Sequence, residues 1–388
     1  SSTLQAQPDY LNSYFQAKGA LIHKHYAEAK AWIDSSLKKG LPEADALLLK
    51  GDVALASADL KGAEVSYLRV EAIRPGMASL GLARVYSLEN MDSISCVWLY
   101  KSLTSKYKEL QSTYLRDKTL QKMENTTYWR KLWDGDYYNK NEQLEADMTY
   151  LINNGKNTEA LDLVQEKAEK HKLRHQQEAL MGKAYYQLQS YSAAIEAFSS
   201  AIRRSSRNAG YYYMRAKAYL DYGKSAKALD DINKAIALEP LNPENYLVRA
   251  EASVSVKLYD QSRADFALYI LATGEKAQTL YDFAVAMYEA GFYLEALRQI
   301  NQCILLKPDI ASYYIARANI YMKTNSYKYA IEDYAMALDL AQPCGEVYLL
   351  RGYARSANGD DPGACSDWKK AASMGSLDGQ SMVARYCR

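Results

Sequence analysis

The chain repeats itself every 34 residues, and no insertion or deletion interrupts the period across six consecutive units. The landmark is a small residue, a bulky one four positions on, and usually a small one three further. It reads Ala194, Phe198, Ala201, then Ala228, Ile232, Ala235, then Ser262, Phe266, Tyr269. It returns as Ala296, Ile300, Cys303, as Ala330, Tyr334, Ala337, and as Ala364, Trp368, Ala371. The units begin at His175, Ala209, Pro243, Ala277, Ala311 and Gly345. Connections between independent elements tolerate changes of length. A period held this strictly requires each unit to stack on the last in the same way.

Each unit reads as two amphipathic helices around a short turn. In the unit from Ala209, Tyr212, Arg215, Ala216 and Tyr219 mark the first helix. Gly223 sits where a positive φ is wanted at its end. Ala228, Ile232 and Ala235 mark the second helix, and Pro240 stops it. Eight Pro and 19 Gly in 388 residues, with 48% hydrophobic residues, fit a packed helical protein and exclude a disordered chain. No apolar stretch is long enough to span a membrane as a helix.

This pattern resembles the tetratricopeptide repeat (TPR). The matching residues include Gly182 with Tyr185, Ala216 with Tyr219, Ala318 with Tyr321, and the terminal Pro75, Pro240 and Pro308. The family's early Trp is Tyr here at Tyr212, Tyr246, Tyr314 and Tyr348, which places much of the excess of 35 Tyr in the core. The resemblance implies an all-α superhelical solenoid of about ten helix-turn-helix repeats with a C-terminal capping helix. The expected organisation is a terminus at 1–9, an N-terminal array at 10–104, a divergent repeat or helical insertion at 105–140, a C-terminal array at 141–376 and the cap at 377–388.

The opening Ser-Ser-Thr-Leu-Gln-Ala-Gln looks like the end of a bacterial signal peptide, with cleavage after Ala6. With the Tyr-rich repeats and the Cys-Arg tail, it is similar to exported TPR proteins of the Bacteroidetes group. That resemblance implies a periplasmic or otherwise exported protein, the alternative being a cytoplasmic one with an ordinary flexible terminus. Export would allow thiols to oxidise. The repeat frame puts Cys365 in the last second helix and Cys387 in the capping helix packed on it, where they either pair or remain buried thiols. Cys303 takes a small-residue core position.

A search for chemistry excludes more than it finds. A net charge of +2 is too small for a general nucleic-acid footprint. His171 and His175 fall at a turn between units, flanked by Lys and Arg, and His23 and His25 at a turn within one. None of them reads as a metal site. Gly223-Lys224-Ser225 lacks the upstream Gly of a phosphate loop, and no Gly-x-Ser-x-Gly occurs. The run Arg203-Arg204-Ser205-Ser206-Arg207 reads as a solvated turn. No catalytic residue, cofactor or metal is expected.

In the TPR fold, positions 2, 5, 9, 12 and 13 of each unit face a concave groove. Carried over, the resemblance implies partner-binding residues at Lys183, Tyr186, Tyr213, Lys217, Leu220, Leu247 and Glu251. Further along it implies Tyr281, Tyr288, Asn319, Met322 and Tyr353, with Val285, Glu289 and Ile315 on the same face. Tyrosine joins an apolar body to a polar tip at low entropic cost, which suits a peptide or partner helix. The carboxylate clamp of chaperone-tail binders is missing: position 5 is never Lys, and Asn319 is the only Asn at position 9. A second candidate surface is the aromatic run Tyr128, Trp129, Trp133, Tyr137 and Tyr138, which either caps the junction of the arrays or docks a partner. The function expected is a non-enzymatic scaffold for a partner protein or peptide, as an accessory of a periplasmic, outer-membrane or secretion assembly. The alternative is a small-ligand or enzymatic site in the N-terminal array or in 105–140.

Overall fold

The computed structural model describes residues 8–168, 172–342 and 344–387. His171 and the cleavage point after Ala6 lie outside the described residues. Twenty-four helices follow one another, with no strand among the described residues. The first are α1 (Tyr10–Ile22), α2 (Tyr26–Lys38), α3 (Glu43–Ala56), α4 (Leu60–Ile73), α5 (Ser79–Leu88) and α6 (Asp92–Leu103). Three short helices come next, α7 (Gln111–Leu115), α8 (Lys118–Gln121) and α9 (Thr127–Trp133). Then come α10 (Lys140–Asn153), α11 (Asn157–Ala168), α12 (His175–Gln187), α13 (Tyr191–Arg204), α14 (Ala209–Asp221), α15 (Ser225–Leu238), α16 (Pro243–Ser255) and α17 (Tyr259–Thr273). The last are α18 (Ala277–Glu289), α19 (Tyr293–Leu306), α20 (Ala311–Lys323), α21 (Tyr327–Leu340), α22 (Gly345–Ala357), α23 (Asp361–Ser373) and α24 (Leu377–Tyr386).

The 34-residue period is written into the backbone. Gly155, Gln189, Gly223, Lys257, Gly291, Asn325 and Gly359 all have positive φ, each at the turn inside its helix pair. The small landmark residues vanish into the core: Ala194, Ala201, Ala228, Ala235, Ala296, Ala330, Ala364 and Ala371 have no exposed surface. Their size lets the paired helices approach closely, and Phe198, Ile232, Ile300, Tyr334 and Trp368 fill the space between neighbours.

Contacts divide the chain into two compact units: residues up to 252 with 267–274, and 253–266 with 275–388. The insertion at 105–140 does not mark this division. Its short helices pack onto the pair α5 and α6, where Tyr114, Leu120, Met123, Trp129 and Leu132 share a core with Leu99 and Leu103.

Residues as distant as Leu11 and Ala272 fall in the first unit because α1 packs on α16 and on the end of α17. Leu11 and Phe15 are buried with Tyr246, Leu268 and Ala272. The Phe15 and Tyr246 rings meet edge to face at 5.5 Å. The helices approach so closely that a Cβ on Gly19 would lie 2.1 Å from the Leu271 carbonyl oxygen, so only glycine fits.

The second unit ends in α24, whose Met382 and Val383 pack against the cluster of Leu349, Ala364, Trp368 and Ala371. Cys365 and Cys387 are joined by a disulfide there, with Cα atoms 5.5 Å apart.

Candidate partner-binding groove

The repeat frame positions the second unit's groove. Positions 5, 9, 12 and 13 of α18 and 2, 5 and 9 of α20 enclose a pocket of about 290 Å³. Its walls are Tyr281, Tyr288, Val285 and Ile315, with Ala284, Ala316 and Ile320 beneath and Glu289, Ser312 and Asn319 at the rim. The Tyr281 ring lies 5.4 Å from that of Tyr313, and Tyr288 lies 6.0 Å from Tyr293, so packing orients both walls. Asn319 is held from below, where the buried Tyr334 hydroxyl donates to its Oδ1 at 2.6 Å. With the carbonyl occupied, the amide nitrogen is the group left to donate toward a ligand.

The other expected groove residues of this unit lie elsewhere. Met322 packs against the cluster around Tyr314 and Tyr334. Tyr353 faces Trp368, ring centroids 6.0 Å apart, within the cluster that α24 covers. Burial raises its pKa, helped by the nearby Asp378 and Tyr386.

The first unit's inward face is ionic. The Tyr186 hydroxyl donates to the Asp221 carboxylate. The Lys217 ammonium sits 5.7 Å from the Tyr186 ring centre and 5.9 Å from that of Tyr213. Burial, then Glu244, Glu251 and Tyr269, push the Tyr213 hydroxyl up to about 12. Lys183 is water-accessible, yet the protein around it lowers its pKa by desolvation. Leu220 packs at the edge of the cluster around Ile232, and Leu247 is half-buried.

Two residues on this face escaped the sequence reasoning. Lys18 feels both Asp52 and Glu244, and burial still lowers its pKa. Asp52 is exposed, yet the protein around it desolvates its carboxyl. Burial raises its pKa, against the Tyr67 hydrogen bond and the charges of Arg84 and Lys18. Counting from Tyr10 and Ala44 as first positions puts both at position 9, so carrying the groove positions into the N-terminal array finds them.

The aromatic run of the insertion does not form a continuous exposed patch. Trp129 is in the core, and Trp133, Tyr137 and Tyr138 pack against it. The Tyr137 hydroxyl donates to the Leu132 carbonyl and that of Tyr138 to the Glu109 carbonyl. Only Tyr128 is exposed. The His175 Nδ1 lies 2.7 Å from the Tyr211 hydroxyl.

Residues 179–245 match the sequence family described as tetratricopeptide repeat. These are tetratricopeptide repeats. An SGT1 homologue from Oryza sativa subsp. japonica is 32% identical over 90 residues, which is 23% of this chain and 24% of that protein. The chain thus spans about a quarter of that curated relative's length. Among solved structures, the Cut9–Hcn1 hetero-tetramer of the APC/C aligns over 97% of this chain and 90% of its own, with a TM-score of 0.51 and 14% identity. The C-terminal part of a TPR repeat-containing protein from Cytophaga hutchinsonii covers 61% of this chain and 98% of its own, with a TM-score of 0.51 and 16% identity. These likenesses carry the fold.

The structure gives a reason for Tyr at the early aromatic position of these TPR units. The hydroxyls of Tyr212, Tyr246 and Tyr314 donate to the carbonyls of Ser206, Pro240 and Pro308, six residues back. Each thus ties its helix to the turn before it, a bond for which Trp has no hydroxyl. Three residues on, an arginine forks onto an aspartate of the same unit: Arg215 on Asp231, Arg317 on Asp333 and Arg351 on Asp367. Arg215, Arg249, Arg317 and Arg351 all occupy position 7, a periodicity readable in the sequence. Among the described residues no helix is long and apolar enough to cross a membrane.

Proposed function

We propose that this TPR protein is a non-enzymatic scaffold that holds a segment of a partner protein in the groove of its second unit. The partner places an apolar side chain between Tyr281 and Tyr288, and the Asn319 amide donates to its backbone. The observation that carries this reading is the pocket of about 290 Å³ with an apolar floor and a polar rim, at positions the repeat frame assigns to the groove. A peptide side chain fits such a site better than a polar metabolite does. The general association of this repeat with protein–protein interaction agrees with it, and the Cut9–Hcn1 assembly is one TPR structure solved with another protein.

The protein works outside the cytoplasm on this reading, as an accessory of an envelope or secretion assembly. The Cys365–Cys387 disulfide supports export. The test is photocrosslinking in cells of the source organism from Val285 and Ile315, with exposed Leu294 on α19 as control. One protein captured from both groove positions, absent at Leu294 and lost in Tyr288→Ala, is the expected result. Equal capture from Leu294, or capture that survives Tyr288→Ala, would refute the groove reading.

A further inference from the structure

We propose that the last repeat carries a binding site for a phosphate-class oxyanion, built around the Nη1 group of Arg351 and lined by Lys369 and Lys370. The observation behind it is a network shared by the four repeats that carry an arginine at position 7, complete at this contact in three of them and broken in the last. The position-7 arginine has a third contact besides the fork. Its Nη1 reaches back sixteen residues, to the second helix of the preceding repeat. Arg215 donates to Ser199 Oγ at 2.9 Å, Arg249 to Asn233 Oδ1 at 3.2 Å, and Arg317 to Asn301 Oδ1 at 2.8 Å. The corresponding residue for Arg351 is Ala335, which offers no acceptor.

Arg351 spends Nε and Nη2 on Asp367 at 2.9 and 2.7 Å, and no described residue accepts from Nη1. The same repeat breaks a second bond. The Tyr348 hydroxyl has no hydrogen-bond partner among the described residues, whereas those of Tyr212, Tyr246 and Tyr314 each hold a carbonyl.

Both orphaned groups line one open pocket of about 470 Å³, with Arg355, Ser366, Asp367, Lys369, Lys370 and Ser373. Four of these side chains are cationic, and the single carboxylate, Asp367, is buried and already held by Arg351 and Arg355. Asp360 lies 3.8 Å from Arg355 outside the lining, and Asp339 acts on Arg351 from α21. Lys369 and Lys370 are exposed and make no ion pair among the described residues.

A planar guanidinium fixed by a carboxylate, with one nitrogen free and two ammonium groups beside it, suits a compact anion with several acceptor oxygens. The asparagines and serine of the earlier repeats supply that acceptor internally. The last repeat leaves it to the solvent.

The test is titration calorimetry of the full chain with inorganic phosphate, in chloride buffer at constant ionic strength. Ala335 is half-exposed, and asparagine stands at this position in two earlier repeats, so Ala335→Asn restores the network without a packing penalty. Ala335→Ser, which places there the same acceptor as Ser199, serves if the first variant fails to fold. Wild type should bind saturably at one site, with affinity about tenfold weaker in either Ala335 variant and in the double variant Lys369→Gln with Lys370→Gln. No saturable binding in wild type, or unchanged affinity in a folded Ala335 variant, overturns the proposal.

Discussion

The two units build the same device at position 9 and load it with different chemistry. In the first unit the buried Tyr67 hydroxyl donates to Asp52 at 2.8 Å. In the second, the buried Tyr334 hydroxyl donates to Asn319 at 2.6 Å. In each, a tyrosine from the second helix orients a polar residue toward the inward face. One residue is a carboxylate with Lys18 and Arg84 acting on it, and the other is a neutral amide beside an apolar pocket. The first unit's face also carries Glu244, Glu251, Tyr213 and Lys183, and the chain's own first helix is packed beside it. The second unit leaves its pocket open. One repeat geometry therefore supports an ionic face with the chain's own first helix beside it and an amphipathic pocket left open.

The sharpest way to break this contrast is to remove the closing contact. Phe15 has no exposed surface and packs on Tyr246. Phe15→Ala should destabilise the first unit by about 3–5 kcal/mol, the usual cost of emptying a buried aromatic site. Hydrogen exchange followed by mass spectrometry should show faster exchange in α1 and α16. Protection of α20 to α23 should stay as it was. Loss of protection throughout would mean that the two units do not unfold separately.

A smaller change sharpens the comparison at position 9. Tyr67→Phe removes a hydrogen bond to a carboxylate and should cost about 1.5–3 kcal/mol. Tyr334→Phe removes one to an amide and should cost about 0.5–1.5 kcal/mol. Exchange rates of amides in α3 and α20 report the two separately. Equal costs would show that the carboxylate of Asp52 strengthens its bond no more than the amide of Asn319 does.

The fold was legible because the period was strict. The helix pairs, the small residues between them and the terminal cap all follow from the spacing of Ala194, Ala228 and their equivalents. So does the αL turn, although Gln189, Lys257 and Asn325 occupy it as readily as Gly223. A stacked repeat holds that backbone conformation against its modest local cost. Of the positions that the repeat frame assigns to the groove, Tyr281, Tyr288 and Asn319 line one pocket.

What sequence could not supply were contacts set by long-range packing. The docking of α1 on residues 267–274 depends on how the intervening repeats turn the chain, and no local pattern records that sum. Trp129 looked available for docking because aromatic spacing alone does not distinguish a buried ring from an exposed one. The Arg–Asp forks were visible as a 34-residue series of arginines. Their meaning emerges only when the aspartate sixteen residues on is seen to lie opposite.

The smallest effect separates the units by pH. All four histidines, at 23, 25, 171 and 175, precede residue 252, so the second unit contains none. His175 is half-buried against the Tyr211 hydroxyl. Burial lowers its pKa below the ordinary 6.5, and Arg174 and Arg204 lower it further, against the opposing charge of Glu178. The unfolded chain therefore binds this proton more readily than the native one. The stability linked to His175 is complete above pH 6.5 and falls as the pH drops from there through the folded pKa. Protection of α12 and α14 should weaken between about pH 7.5 and 5.5 more than that of α20 to α23. His175→Gln keeps a polar group beside Tyr211 but cannot titrate, so it should flatten the difference. A pH response in α12 that survives this substitution would assign the proton to another group.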